Sequence, residues 1–125
     1  MRKSFPAATY SLYPVREFVR DRTLGTDLSE QEAEDIVLAV SDACALLLRH
    51  SLDTVIELSW EAGVNEILIT VEDRGEILVW AEEGRILPAE TALISDLVDE
   101  VHVGVTTESG TVITMHKRLT PGREI

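Results

Sequence analysis

Residues 29–51 read SEQEAEDIVLAVSDACALLLRHS, and this stretch decides the fold. Ser29 followed three residues later by Glu32 is a capping-box signature, which marks the start of a helix. The first turn is acidic, which suits the positive end of a helix dipole. From Ile36 to Leu48 few positions are polar, and a helix that is apolar nearly all round is buried on most of its sides. The pattern therefore predicts a central helix that ends at about residue 50.

Two shorter helices are predicted on either side of this one. The first covers about residues 11–23, with Pro14 in its first turn and apolar residues at helical spacing: Leu12, Val15, Phe18 and Val19. The other covers residues 88–99 and begins near Pro88. Four of its apolar residues are expected to point inward: Leu93, Ile94, Leu97 and Val98.

The rest of the chain reads as strands, because apolar and polar residues alternate along it. The predicted strands are 54–60, 66–72, a short one at 77–80, and a hairpin of 101–106 and 111–117 turned by residues 108–110. Antiparallel strands with helices on one face give an α+β fold, a two-layer α/β sandwich. We expect one domain over residues 1–120, followed by a short tail, 121–125.

The chain carries a formal net charge of −12, from 23 acidic and 11 basic side chains. A charge of this sign repels a phosphate backbone, so we expect no direct contact with nucleic acid. It suits a protein partner with a basic surface, and it equally serves solubility alone. The bulk charge does not decide between these two interpretations.

The sequence also indicates where the protein resides. Residues 1–5 lack the apolar core of a signal peptide, and no apolar run reaches the length that crosses a membrane. The single cysteine, Cys44, lies in an apolar run and is expected to pack as a small buried hydrophobe. We therefore expect a cytoplasmic protein without membrane contact.

Three segments, in this order, resemble the anti-sigma-factor serine/threonine kinases of the GHKL (histidine-kinase-like ATPase) superfamily: LAVSDA at 38–43, VEDRG at 71–75, and LVDEV at 97–101 followed by GTVITM at 110–115. The resemblance covers nearly the whole chain. It implies the Bergerat fold, in which a mixed, largely antiparallel sheet carries helices on one face. It also implies ATP and Mg²⁺ as ligands, with a sigma factor or an anti-sigma antagonist as partner, and it allows a homodimer.

On the central helix the family carries a glutamate and, four residues later, an asparagine. The resemblance implies a general base for the phosphorylated serine and an oxygen ligand for Mg²⁺. Here these positions are Asp42, one methylene shorter, and Leu46, which has no side-chain oxygen. Asp42 is the candidate catalytic base if the protein is active.

The family's adenine-binding segment is Asp-x-Gly-x-Gly, and the resemblance assigns its residual nucleotide contacts to Asp73 and Gly75. The second glycine is replaced by Ile77, which crowds the close approach that glycine allows. Asp-x-Gly also occurs in ordinary turns at strand ends, and that simpler interpretation stays open.

The family's phosphate-binding glycines fall on Pro88 and Glu90 in this chain. Proline has no amide donor, and a glutamate places negative charge where phosphates would lie. The residues at 84–87, GRIL, are an alternative remnant of the motif, displaced by about one helical turn.

The family engages its partners through an arginine of the first helix, eleven residues after a phenylalanine of the first strand. This spacing matches Phe5 and Arg16, and Arg20 lies one turn further along the same helix. We predict that Arg16 and Arg20 bind the partner. The alternative is that they are solvated positions on an amphipathic helix.

Three functions follow from these observations. The first is a regulatory module that binds a sigma factor or an antagonist, with ATP binding weak or lost and no cofactor. The second is an active ATP- and Mg²⁺-dependent serine/threonine kinase, and the third is a non-catalytic subunit that pairs with an intact homologue. We expect no metal site of the protein's own, because His102 and His116 lie on different strands without ligand spacing nearby.

Overall fold

The computed structural model describes residues 1–50, 55–73, 88–106 and 110–119. These residues contain three α-helices and five strands. In chain order they are β1 (Arg2–Pro6), α1 (Leu12–Thr23), α2 (Glu30–His50), β2 (Val55–Ala62), β3 (Glu66–Asp73), α3 (Ala92–Leu97), β4 (Glu100–Thr106) and β5 (Gly110–Arg118). Short 3₁₀ turns, Thr9–Ser11 and Pro88–Thr91, precede α1 and α3.

The strands form one sheet in the order β1-β2-β3-β5-β4. Every neighbouring pair in this sheet is antiparallel. The predicted sheet is therefore confirmed, and its described part is antiparallel throughout. Among the described strands, β1 and β4 lie at the two edges of the sheet.

The helices cover one face of the sheet and bury it. Along β3 the alternate residues Ile67, Ile69 and Val71 are fully buried, while the residues between them are half-buried. α2 packs against α1, α3 and β3, which makes it the central helix that its apolar sequence predicts. The predicted two-layer α/β sandwich is confirmed.

Cys44, on α2, is fully buried, as expected for a small hydrophobe. Removal from water disfavours the thiolate, and burial raises the pKa of this thiol to about 12. The side chain is therefore inert as a nucleophile at neutral pH.

The capping box predicted at the start of α2 is present. The Ser29 hydroxyl accepts a hydrogen bond from the Glu32 amide at 3.1 Å, and the Glu32 carboxylate accepts one from the Ser29 amide at 3.1 Å. Two donors that the helix itself leaves unpaired are satisfied in this way.

Replacing Ser29 with alanine should lower the free energy of unfolding by about 1 kcal/mol, because the Glu32 amide then loses its acceptor. Urea denaturation followed by circular dichroism measures this loss. Ser29→Asp keeps an acceptor at the same position and should stay close to wild type. An unchanged stability in Ser29→Ala would show that the cap contributes nothing, and equal losses in both variants would show that the loss does not come from the missing acceptor.

One strand was not located by periodicity, and one predicted helix needs correction. Arg2–Pro6 forms β1, where only the resemblance, through Phe5, implies a first strand; Phe5 alone is buried in it, and a strand with one inward residue has no alternation to detect. The helix predicted at 88–99 is a 3₁₀ turn followed by six residues of α3, and it ends at Leu97. So short a helix buries Ile94 on its inner side, and Leu93 is exposed rather than inward.

Some predicted features lie outside the described residues. These are the short strand at 77–80, the tail at 121–125 and residues 108 and 109 of the hairpin turn. Gly110, the last residue of that turn, has a φ of 77°, in the left-handed region that favours glycine.

Candidate functional site

Arg16 is held at the junction of α1 and α2. Its Nε donates a hydrogen bond to the Ser41 hydroxyl at 2.9 Å, across 25 residues of sequence. This bond holds Nε of the guanidinium against a neutral acceptor. Arg16 forms no ion pair with any of the described residues. Arg16 is exposed to solvent, and the remaining N–H groups of its guanidinium can donate to both oxygens of a carboxylate, in the two-pronged manner typical of arginine.

Arg20 occupies a different environment, although it lies one turn away on the same helix. Its guanidinium contacts the Glu34 carboxylate at 3.2 Å and the Glu17 carboxylate at 2.6 Å. Hydrogen bonding to Glu34, and then to Glu17, raises the pKa of Arg20 above its ordinary value. Its charge is thus already matched by described carboxylates, whereas no carboxylate of the described residues matches that of Arg16.

Two exposed apolar side chains flank Arg16. Tyr13, three residues earlier on α1, is 68% exposed, and Leu38 on α2 is 49% exposed. Leu38 is placed by helical spacing between Glu34 and Ser41, the residues that contact Arg20 and Arg16. We call Tyr13, Arg16 and Leu38 the α1–α2 patch. An aromatic, an arginine and an aliphatic residue together have the composition of an interface centre.

The sequence interpretation missed Tyr13 and Leu38. Tyr13 carried a usable signal, since it stands one helical turn before Arg16. Leu38 carried none, because it lies in a run of apolar residues of which most are buried.

The first 23 residues, which form β1 and α1, are basic although the chain is acidic. They contain five basic and two acidic side chains, whereas the rest of the chain contains six basic and 21 acidic ones. A group in contact with the protein feels the charges near it rather than the net charge, because salt screens charges that are more than about 10 Å away. The α1–α2 patch therefore belongs to the basic part of the molecule.

Asp42 and Leu46 lie on α2 one turn apart, at the positions where the resemblance implies a base and a metal ligand. Asp42 is half-buried and directly follows Ser41, the residue that holds Arg16. Leu46 is 0% exposed and belongs to the hydrophobic core. A leucine side chain offers no oxygen to a cation that requires oxygen ligands, so position 46 does not fit Mg²⁺.

Asp73, the predicted adenine contact, is the last residue of β3 and pairs with Ile56 of β2. It is buried, on the same alternation as Ile67, Ile69 and Val71, and therefore faces the helices. Its predicted companions, Gly75 with Ile77 and the segment 84–87, lie outside the described residues.

The predicted phosphate-binding positions lie in the 3₁₀ turn Pro88–Thr91. Glu90 is in the first turn of this segment and is half-buried. α3, which follows, has six residues, and Thr91 makes no side-chain cap at its start. The two positions where the resemblance implies backbone amides that bind phosphate are thus occupied by a proline and a glutamate.

The structure brings some of the predicted site residues together and leaves others apart. The two helices α1 and α2 carry Arg16, Arg20 and Asp42. Arg16 on α1 is hydrogen-bonded to Ser41 on α2, and Asp42 is the next residue after Ser41. Asp73 lies in the sheet layer.

Within residues 1–50, 55–73, 88–106 and 110–119, no group of three His, Cys, Asp or Glu side chains is arranged to hold a metal ion. None of the helices in these ranges has both the length and the apolar character of a membrane span.

Comparison with known proteins establishes the fold. No protein-family model matches the sequence, and no curated protein matches it. Among solved structures, the chain is similar to the crystal structure of the RsbU and RsbW domains of Rv1364c from Mycobacterium tuberculosis, with a TM-score of 0.70 and 22% sequence identity. The match covers 100% of this chain and 34% of that chain, so this protein spans about a third of the larger structure's length.

Proposed function

We propose that this protein is a regulatory binding module of the anti-sigma type, which binds a sigma factor or an anti-sigma antagonist through α1. The observation that carries the proposal is the α1–α2 patch. Arg16 is anchored through one nitrogen on Ser41 and is flanked by exposed Tyr13 and Leu38. The similarity in fold to the RsbU and RsbW domains supports the resemblance on which the partner class rests.

The charge distribution refines the class of partner. Net charge alone suits a basic partner, but β1 and α1 form the basic part of the chain. A carboxylate on the partner fits Arg16, and an apolar side chain beside it fits Tyr13 and Leu38. The segment that contacts the patch is therefore acidic and apolar, whatever the charge of the partner as a whole.

We further propose that ATP binding is weak or lost. Leu46 removes an oxygen ligand for Mg²⁺, and Pro88 and Glu90 remove a donor and add a negative charge on the phosphate side. Each lost charge-assisted hydrogen bond costs roughly 1.5–3 kcal/mol, so losing two or three removes most of an ordinary nucleotide affinity.

Titration calorimetry on the purified protein tests both parts of the proposal. With Mg²⁺ and ATP at millimolar concentration we expect no saturable heat. With each sigma factor and antagonist encoded in the same genome, one at a time, we expect a micromolar or tighter complex with at least one. Micromolar, Mg²⁺-dependent ATP binding would contradict the nucleotide part, and no binding to any of these proteins would contradict the partner part.

The position of Asp42 favours a second candidate function, an active serine/threonine kinase. A partner engaged by Arg16 would lie near Ser41, and Asp42 is the next residue along α2. A partly exposed carboxylate there is able to accept a proton from a serine hydroxyl. Transfer of labelled γ-phosphate from ATP to an antagonist, abolished in Asp42→Asn, would establish this function. Transfer that persists in Asp42→Asn would remove Asp42 from the role.

A further inference from the structure

Two of the chain's three histidines become neighbours only in the folded sheet. His102 lies on β4 and pairs with Thr114 of β5, and His116 lies two residues further along β5. Diagonal neighbours of this kind are about 7–8 Å apart at the backbone, within reach of aromatic side chains. The two imidazole rings do meet: their centroids are 6.3 Å apart and their planes cross at 88°. No spacing in the sequence indicates this pair, because its members come from different strands.

The pair lies on the face of the sheet that the described helices do not cover. Met115 pairs with Ile69 and is fully buried on the helix side, so the next residue, His116, points to the other face. His102 is exposed, and the His116 side chain is 29% exposed. An ion in solvent can therefore reach both rings.

Two carboxylates lie beside this pair. Glu66 of β3 places its Oε2 3.8 Å from Nδ1 of His116. A carboxylate on that side favours a proton on Nδ1 and leaves the lone pair of Nε2 free, which is the arrangement that histidine ligands of metals usually have. Glu100 pairs with His116 across the two strands and contacts Arg118 at 3.5 Å. The net charge of −12 also attracts cations to the protein.

We propose that His102 and His116 together bind one divalent transition-metal cation of the class that imidazole prefers, such as Zn²⁺ or Cu²⁺. Metal–nitrogen bonds are about 2.0–2.1 Å long, so two imidazoles on one ion have ring centres roughly 5–6.5 Å apart. The observed 6.3 Å lies within this range. Water fills the remaining positions, and Glu66 orients His116 through Nδ1. The site has two protein ligands, so it is compatible with the lack of three-residue metal clusters among the described residues.

The bound ion joins β4 to β5, because each strand supplies one ligand. The other side chain that such ions favour, the Cys44 thiol, is fully buried and its pKa is raised to about 12, which removes it as a competing ligand. The site lies on the sheet face away from α1 and α2. It therefore depends neither on the α1–α2 patch nor on the proposed partner.

Calorimetric titration of the purified protein with Zn²⁺ alone tests the proposal, and we expect saturable binding of one ion per chain. Loss of an outer-shell partner commonly weakens metal binding about 10–100-fold, so removing a ligand in His102→Gln or His116→Gln should weaken it at least about tenfold. His50→Gln is the matched control, because it makes the same change at the end of α2, and it should bind as wild type does.

Titration with Mg²⁺ separates a histidine site from the general attraction of an acidic surface. Mg²⁺ prefers oxygen ligands, so we expect no saturable binding of this ion under the same conditions. Three results would each overturn the proposal: equal binding of Mg²⁺ and Zn²⁺, no saturable binding of Zn²⁺, or a Zn²⁺ affinity that is unchanged in both His102→Gln and His116→Gln.

The imidazole Hε1 signals in proton NMR provide a second measurement, which locates the ion. The chain has three histidines, and the three glutamine variants assign their signals. Addition of Zn²⁺ to the wild type should shift or broaden the signals of His102 and His116 and leave that of His50 unchanged. Perturbation of His50 alone, or of all three signals equally, would contradict a site between β4 and β5.

Discussion

Replacing Leu46 with asparagine is expected to lower the free energy of unfolding by about 4 kcal/mol, a large fraction of the total stability of a domain of this size. Leu46 lies on α2, is 0% exposed and packs in the hydrophobic core of the domain. The substitution removes buried methyl groups and leaves an amide without a hydrogen-bond partner in an apolar environment. Urea denaturation measures the loss.

The same variant tests the nucleotide part of the proposed function, because asparagine is the residue that the resemblance implies at position 46. Leu38→Asn is the control: it makes the same chemical change on the same helix at a side chain that is 49% exposed, and should cost less than about 1 kcal/mol. A stable Leu46→Asn variant that gained Mg²⁺-dependent ATP binding would show that position 46 faces a working nucleotide pocket. That outcome would contradict our account of the eroded site.

Replacing Arg16 with alanine is expected to weaken the complex with the sigma factor or antagonist by roughly 2 kcal/mol, about thirtyfold in the dissociation constant. The variant removes a charge that no described residue neutralises, together with a guanidinium held on Ser41, three residues along α2 from the exposed Leu38. Arg16→Lys keeps the charge but loses the planar pair of donors, and should fall between wild type and alanine. Titration calorimetry with the identified partner measures each affinity.

Two further substitutions test whether the loss of affinity is specific to Arg16. Arg20→Ala should lose less than Arg16→Ala, because Glu17 and Glu34 already engage the Arg20 guanidinium. Arg118→Ala removes another exposed arginine, on β5 rather than α1, and should bind as wild type does. Equal losses for Arg16→Ala and Arg118→Ala would point to net charge, and wild-type affinity in Arg16→Ala would exclude the patch as the binding site.

Much of the fold could be predicted from sequence because its signals are local. The capping box at Ser29 and Glu32 marked the start of α2 to within one residue. Alternation located β2, β3 and the β4–β5 hairpin, and the order of elements then left few arrangements to consider. Local signals failed where an element was short: β1 buries one residue, and α3 has fewer than two turns.

The candidate site was predictable only in part. The resemblance singled out Arg16 and Asp42, and the predicted partner-binding pair of Arg16 and Arg20 treated the two arginines alike. Their difference comes from α2, where Arg16 meets the neutral Ser41 and Arg20 meets the carboxylate of Glu34. Neither contact leaves a pattern in the sequence of α1.

By itself, the sequence determined the longer helices and strands and their layers, because the periods of 3.6 and 2 residues say which side of a helix or strand is apolar. Only the tertiary structure decided which apolar residues remain outside. Leu38 and Leu46 lie in the same apolar run of α2, yet Leu38 is exposed beside Arg16 and Leu46 is buried. Likewise, β4 and β5 read alike as strands, and only the order of the described strands places β5 inside the sheet and β4 at its edge. The physical reason is that the surroundings of a side chain depend on neighbours distant in sequence. Arg16 and Ser41, for example, are hydrogen-bonded although 25 residues separate them.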